Sequence, residues 1–242
     1  MSFNLKKDVT LICVDGIDPD LSLKALNFSN SQINFENAKL LSVNKPKGDL
    51  GVVSHTYIDP MNWNGYNDFM AKKLKNYIET PFCLTIQTDG FITSPHLWND
   101  EFFQYDYIGA PWPDEDVWLN LQYEETRNSY IENQKKCRIG NGGFSLRSKK
   151  FLDESSRYES CMGYGEDAFL CNMKYDEMLK SGIKFPSVDI AIKFSIENPI
   201  SELGYNWPEL DHNFNSTRAF GFHGKYICDY PEIIEKMSNY EK

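Results

Sequence analysis

The stretch VTLICVDG, residues 9–16, is an apolar, β-branched run that ends in the turn signal Asp15-Gly16. Continuous rather than alternating hydrophobicity is typical of a strand covered on both faces, as in a parallel sheet. Ligands of open α/β sheets bind beyond the carboxyl ends of such strands. Asp15 is therefore a candidate binding residue, and the stretch predicts a buried first strand.

Outward from this strand, helical and strand patterns alternate along the chain. The order strand, helix, strand, helix, strand in the first half predicts an α/β fold with a mostly parallel central sheet. We expect one domain, 1–242, with an N-terminal half at about 1–112 and a C-terminal half at about 113–242. Helices are predicted at 18–32, 63–78, 149–158 and 166–182. Further strands are predicted at 38–43, 82–92, 105–112, 142–148, 191–197 and 219–224. Mobile loops that a substrate would order are predicted at 113–136 and 200–220.

The bulk composition limits the classes of partner. A formal net charge of −10 argues against nucleic acid or an anionic membrane as the main partner, because both favour a basic surface. The sequence has no run of 18 apolar residues, so no transmembrane segment is expected. The six cysteines include no CxxC pair and do not resemble a zinc site. They are predicted to be reduced, which favours a cytoplasmic location.

Three short motifs carry chemistry. In QTDG, residues 87–90, a strand-end Asp89 is able to bind Mg²⁺ or Mn²⁺, although a plain Asp-Gly turn gives the same pattern. In GNGG, residues 140–143, glycines leave the backbone open beside Asn141, or simply form a bend before a strand. In GYGED, residues 163–167, Glu166 and Asp167 open a helix, either as a cap or as a general base with a neighbouring binding carboxylate.

Taken together, the order of these motifs resembles that of GT-A-fold glycosyltransferases, and in particular of the β-1,4-galactosyltransferase family. The runs IQTDGFITSPHLW, YDYIGAPWP, GNGGFSLRS and GFHG are similar to those of bacterial and viral proteins described as glycosyltransferases. The resemblance spans roughly residues 9–225. It implies a GT-A-like, Rossmann-related sandwich.

The resemblance also implies roles for individual residues. Asp89 matches the last Asp of the DxD motif and His223 the late metal ligand, whereas Gln87 stands where that motif has its first Asp. Asp167 matches the catalytic base and Glu166 the neighbour that holds the acceptor. Residues on the donor side would be Asp15, Gln87, Asp89, Asn141, Gly142 and Gly143. Met162-Gly163-Tyr164-Gly165 replaces the Trp-rich run of the galactosyltransferases, which leaves donor and acceptor sugars open.

The implied activity is transfer of a sugar, with inversion, from a nucleotide-sugar, here taken as UDP-linked, to a carbohydrate or glycoconjugate hydroxyl. Mn²⁺ or Mg²⁺ would neutralise the leaving diphosphate. Three alternatives remain: a retaining transferase on the same fold, a non-catalytic binding protein on a degenerate GT-A fold, and a nucleotidyltransferase. The lost DxD carboxylate favours the second, and the lack of a basic, Gly-rich loop after the first strand counts against the third.

Overall fold

A computed structural model describes residues 3–113, 127–198 and 219–224 of the chain. Within these ranges a six-stranded sheet has the order β3-β2-β1-β4-β7-β6, and a three-stranded sheet has the order β5-β9-β8. The strands are β1 (Val9–Asp15), β2 (Asn37–Ser42), β3 (Val53–Tyr57), β4 (Phe82–Ile86), β5 (Gly90–Ile92), β6 (Tyr107–Ile108), β7 (Phe144–Ser148), β8 (Ser195–Ile196) and β9 (Gly221–His223).

The helices are α1 (Leu5–Asp8), α2 (Pro19–Ile33), α3 (Trp63–Lys72), α4 (Arg127–Lys136), α5 (Lys149–Ser155), α6 (Glu166–Ala168), α7 (Tyr175–Lys180) and α8 (Val188–Phe194). Short 3₁₀ turns lie at Leu74–Tyr77, Pro95–Leu97 and Asp100–Gln104, and a π-helical turn at Phe169–Met173. None of the helices in the described ranges has the length and apolarity of a membrane span.

The predicted α/β class with a mostly parallel sheet is confirmed. Strands β1 to β4 pair in parallel, and β7 and β6 then add antiparallel strands at one side. β1 and β4 lie at the centre and are buried along almost their whole length, as the continuous apolar pattern of the first strand predicts. Helix α2 follows β1 directly because Asp18 caps the amide of Leu21 and Pro19 supplies the first turn.

The strand predicted over 82–92 is divided between the two sheets. It ends at Ile86, turns through Gln87-Thr88-Asp89 with a hydrogen bond from Gly90 N to Gln87 O, and restarts as β5. β5 leaves the large sheet and pairs with β9, Gly90 opposite His223. Polar residues 87–89 mark the turn, so the break follows from the end of the apolar run.

Other element predictions were wrong in detail. The edge strand β3 was not predicted, because its half-exposed sequence VSHTY lacks an apolar run. The predicted loop 113–136 contains α4; residues 114–126 of that loop, and most of the predicted loop 200–220, lie outside the described residues. The predicted strand 191–197 is mostly α8, since Ala191, Ile192 and Phe194 are buried at helical rather than alternating spacing.

The single helix predicted over 166–182 is also divided. α6 passes into the π turn, where Lys174 N bonds to Phe169 O, before α7 starts. Four consecutive residues of this turn, Phe169–Asn172, are buried, and the wider turn accommodates them where the chain is surrounded by protein. Two further helices end early, the one from residue 63 passing into a 3₁₀ turn and the one from 149 stopping at Ser155.

Candidate functional site

The carboxyl ends of β1 and β4 lie side by side, since Cys13 pairs with Ile86 in the sheet register. Beyond them opens a cleft of about 590 Å³ whose lining includes Asp15, Gln87 and Thr88. Asp15 and Gln87 therefore lie at the same edge of the sheet, and their predicted roles in donor binding stay predictions. Ile17 and Trp63 also line the cleft, and their side chains are 95% and 53% exposed, so two apolar groups are open to a ligand.

Asp15 stabilises the turn after β1, which lines the cleft. Its Oδ1 accepts the backbone N–H of Ile17 at 2.5 Å and of Asp18 at 3.0 Å, and its Oδ2 accepts the hydroxyl of Ser22. The carboxylate therefore ties the end of β1 to the start of α2. Its predicted contact with a nucleotide stays a prediction.

Three polar side chains converge where the turn 87–89 meets β9. His223 Nε2 lies 3.2 Å from Asp89 Oδ1 and 3.0 Å from Gln87 Oε1. Gln87 is held from its other end, because its Nε2 donates to the hydroxyl of Tyr66 at 2.8 Å. The pairing of β5 with β9 brings these residues together across 136 positions of sequence.

The other ring nitrogen of His223 is bound by a residue that the sequence did not single out. Nδ1 lies 3.1 Å from Glu197 Oε1, and Asn141 Nδ2 lies 3.1 Å from the same nitrogen. Burial opposes protonation of the ring, but hydrogen bonds to Asp89 and Glu197 and their negative charge outweigh it and raise the pKa of His223 to about 10. The pocket around the ring therefore favours a positive charge.

The glycine turn, residues 140–143, lies against His223 on one side and against the Glu166-Asp167 pair on the other. Asn141 adopts a left-handed backbone with φ 60°, and its Oδ1 accepts the amides of Gly143 and Phe144. A Cβ on Gly143 would lie 2.1 Å from His223 Nε2, and one on Gly142 would lie 2.1 Å from Glu166 Oε1. The two glycines therefore allow the close approach of Glu166 and His223, and the predicted contact of Asn141, Gly142 and Gly143 with a donor stays a prediction.

Asp167 is joined to the same turn. It is half-buried; its Oδ2 accepts the N–H of Gly142 at 2.9 Å and its Oδ1 the N–H of Ala168 at 2.7 Å. A carboxylate offers about four acceptor positions, so both oxygens keep a free lone pair after these bonds. Asp167 can therefore still accept a proton from a hydroxyl.

Glu166 faces the interior instead. Its side chain is 7% exposed, and its Oε1 accepts from Nη2 of the fully buried Arg147 at 2.7 Å. Burial raises the pKa of Glu166, and the charge of Arg147 opposes that rise. The predicted contact with an acceptor stays a prediction, but the partner that the structure gives Glu166 is Arg147.

Sequence reasoning missed Arg147 and Glu197. A charged residue inside the strand GGFSLRS was a usable signal, because all five residues of β7 are buried and a buried charge requires a partner. Glu197 had no such signal; it follows an apolar run, as many surface carboxylates do.

In the ranges that the structure covers, no three His, Cys, Asp or Glu side chains are grouped so that they could hold a metal. The set at the end of β9 contains only two such ligands, Asp89 and His223, and its third donor is the amide oxygen of Gln87. The five cysteines in these ranges, 13, 83, 137, 161 and 171, are buried and free, in agreement with the prediction of reduced thiols; Cys228 lies outside them.

Residues 53–223 match the model of one protein family. The chain belongs to the family described as "Protein of unknown function (DUF5672)". No curated protein matches the sequence. The turn 87–90, the glycine turn, the Glu166-Asp167 pair and His223 all lie within the part of the chain that the family model covers.

Two solved structures of galactosyltransferase LgtC align with nearly the whole chain. One, in complex with donor and acceptor sugar analogues, covers 96% of this chain and 95% of its own, with 11% sequence identity and a TM-score of 0.44. The other, an active-site mutant, covers 96% and 94%, with 11% identity and a TM-score of 0.48. We base the functional proposal on this chain's own side chains.

Proposed function

We propose that this protein is a glycosyltransferase that moves a sugar from a nucleotide-sugar, UDP-linked in our hypothesis, to an acceptor hydroxyl with the help of Mn²⁺ or Mg²⁺. The observation that supports it most is the convergence of Gln87, Asp89 and His223 on one point beside the cleft at the ends of β1 and β4. Diphosphate groups bind at that edge of α/β sheets, and they carry divalent cations with them.

The residues present fit a cation. His223 Nε2 lies 3.0 Å from Gln87 Oε1 and 3.2 Å from Asp89 Oδ1, so one nitrogen and two oxygens that are able to bind a cation are close together. The raised pKa keeps a proton on His223, so a cation would bind by displacing that proton from Nε2. A ligating His typically gives its other ring N–H to a carboxylate, and Glu197 lies in that position. Asp89 and His223 would hold the ion, Gln87 would add a neutral oxygen, and the diphosphate would supply the remaining ligands.

A bound cation would supply charge neutralisation for the departing diphosphate. Proton acceptance and binding of the nucleoside are assigned to side chains of the protein. Asp167 accepts the proton of the acceptor hydroxyl on a free lone pair as that hydroxyl attacks the anomeric carbon, which gives inversion. Ile17 and Trp63 offer apolar surface to the nucleoside at the mouth of the cleft.

A second candidate is a non-catalytic protein that binds a nucleotide or carbohydrate on a degenerate transferase fold. The observation that favours it is Gln87, which stands where a carboxylate would strengthen cation binding and is already held by Tyr66 and His223. This candidate predicts ligand binding without turnover.

The two candidates are separated by a panel of nucleotide-sugars tested for thermal shift and for hydrolysis, with and without Mn²⁺. A transferase should release nucleoside diphosphate with at least one donor, and only with the cation. Asp89→Ala should abolish the Mn²⁺-dependent gain in nucleotide affinity and leave the fold intact. Asp153→Asn, a 60%-exposed carboxylate on α5 paired with Lys75, serves as the control and should behave as the parent protein.

Binding without hydrolysis across the panel would support the second candidate instead. Unchanged cation-dependent binding in Asp89→Ala would contradict the proposed cation site. The configuration of the transferred sugar, read by NMR of the product, decides between inversion and retention.

A further inference from the structure

Arg147 lies in the interior of the large sheet. It is the fourth of the five residues of β7, opposite Cys83 on β4 and Tyr107 on β6, and none of its side chain is exposed. Removing a guanidinium from water is unfavourable, and a buried ion pair is weak evidence for stability alone. The position of this charge therefore calls for a role beyond holding the sheet together.

The contacts of Arg147 are directed at two segments of the candidate site. Nη2 donates to Glu166 Oε1 at 2.7 Å and to the carbonyl of Gly142 at 3.2 Å. Nε donates to Ser145 Oγ at 3.0 Å, and the guanidinium lies 5.5 Å from the ring centre of Tyr107. One guanidinium nitrogen thus joins the glycine turn to the start of α6.

Asp167 is held between these same two segments. The Gly142 peptide group binds Arg147 through its oxygen and Asp167 Oδ2 through its N–H. Glu166, bound by Arg147 through its side chain, is the residue directly before Asp167, and its own N–H is held by Asn67 Oδ1 at 2.9 Å. Movement of Arg147 would therefore shift Asp167 from both sides.

Gly142 packs closely against the ion pair. A Cβ on Gly142 would lie 2.1 Å from Glu166 Oε1 and 3.0 Å from Arg147 Nη2. The turn passes directly over the ion pair, and only glycine permits this distance. Five other titratable groups interact electrostatically with Glu166: Asp167 beside it, Tyr66 from α3, Tyr107 from β6, Cys161 from the preceding loop and Cys171 from the π-helical turn.

We propose that Arg147, through its pair with Glu166, is the positioning residue of Asp167: it fixes the Gly142 peptide and the start of α6 so that the Asp167 carboxylate is presented in one orientation. The expected effect of Arg147 on turnover rests on the proposed role of Asp167 as the general base. The link from Arg147 to the Gly142–Asp167 hydrogen bond does not depend on any activity.

The first test uses the amide resonance of Gly142 in ¹⁵N-labelled protein. This amide donates to Asp167, so its hydrogen-exchange rate reports that hydrogen bond, and Asp167→Ala should raise the rate. In Arg147→Met the rate should rise severalfold, because the peptide is no longer held. Arg157→Met removes an exposed guanidinium paired with Glu154 and should leave the rate unchanged.

A double variant separates positioning from stability. Arg147→Met alone leaves Glu166 buried without its partner and is expected to melt earlier, whereas Arg147→Met with Glu166→Gln removes both charges and should recover most of the melting temperature. If Arg147 positions Asp167, the double variant keeps the faster hydrogen exchange at Gly142. A double variant that recovers both the melting temperature and the parental exchange rate would show that Arg147 only balances a charge, and would overturn the inference.

The second test uses turnover with a donor found by the panel. The double variant should lose about 10²-fold in kcat, the usual effect of a misplaced catalytic group, with the donor KM unchanged, and Arg147→Lys should recover part of the loss. If Asp167→Asn keeps full turnover, the base assignment fails while the hydrogen-exchange rate of Gly142 still decides the positioning role. If Asp167→Asn is inactive and the folded Arg147 variants keep the parent kcat, the positioning role is wrong.

Discussion

Gly143→Ala should disable the proposed cation site through one added methyl group. The new Cβ would lie 2.1 Å from His223 Nε2, 2.3 Å from Cδ2 and 2.6 Å from Cε1, so it would meet the face of the imidazole rather than an edge. To reach an ordinary contact of about 3.5 Å, ring and turn must separate by more than about 1 Å. That displacement exceeds what the contacts of 3.0 and 3.2 Å to Gln87 and Asp89 can absorb.

The substitution should change both the folding free energy and the metal affinity. Overpacking of this kind costs about 1–3 kcal/mol of folding free energy, and disturbing the orientation of a metal-binding His costs about 10–100-fold in metal affinity. Urea unfolding and calorimetric titration of Mn²⁺ in the presence of nucleoside diphosphate measure the two separately. Gly48→Ala is the matched control, because its Cβ would meet only the end of the Leu23 side chain, at 3.2 Å. A folded Gly143→Ala protein with parental Mn²⁺ affinity would refute the proposed arrangement.

Two further predictions concern individual side chains. Asp167→Asn keeps the shape of the side chain but removes its proton acceptor, so turnover should fall about 10²–10⁴-fold with donor binding near normal; turnover within a few-fold of the parent would make Asp167 only a cap of α6. His223→Ala should greatly reduce the affinity for Mn²⁺, and Glu197→Gln should reduce it about 10–100-fold, with both affinities measured in the presence of nucleotide. A His223→Ala protein that melts at a much lower temperature yet binds Mn²⁺ as before would show that the imidazole belongs to the core.

The sequence predicted the large sheet well because its central strands are buried on both faces. VTLICV and FCLTI carry continuous apolar runs that few other structures explain, and a cleft lies beyond the ends of both strands. Exposed or tightly packed elements were harder to predict from the sequence. The edge strand β3 is mostly polar, and the run 191–197 has apolar residues at both strand and helix spacings, so only the burial of Ala191, Ile192 and Phe194 identifies the helix.

The site was predictable where a motif constrains the backbone and not where it depends on long-range contacts. Asp89, Gly142, Gly143 and Asp167 follow from turn and helix-start patterns, and the structure brings all four to one region. The partner of Glu166 could not be derived from neighbours in sequence, because Arg147 reaches it only through the geometry of the sheet.

The position of β9 has a consequence for the order in which the protein matures. Every strand of the six-stranded sheet precedes residue 149, whereas His223 reaches its partners across 136 positions of sequence. During synthesis, domains form from the N-terminal side first, and long-range pairing is slow. A nascent chain could therefore assemble the large sheet while the proposed cation site is still incomplete. If that site binds a ligand, binding would begin only after β9 has been synthesised and has paired with β5.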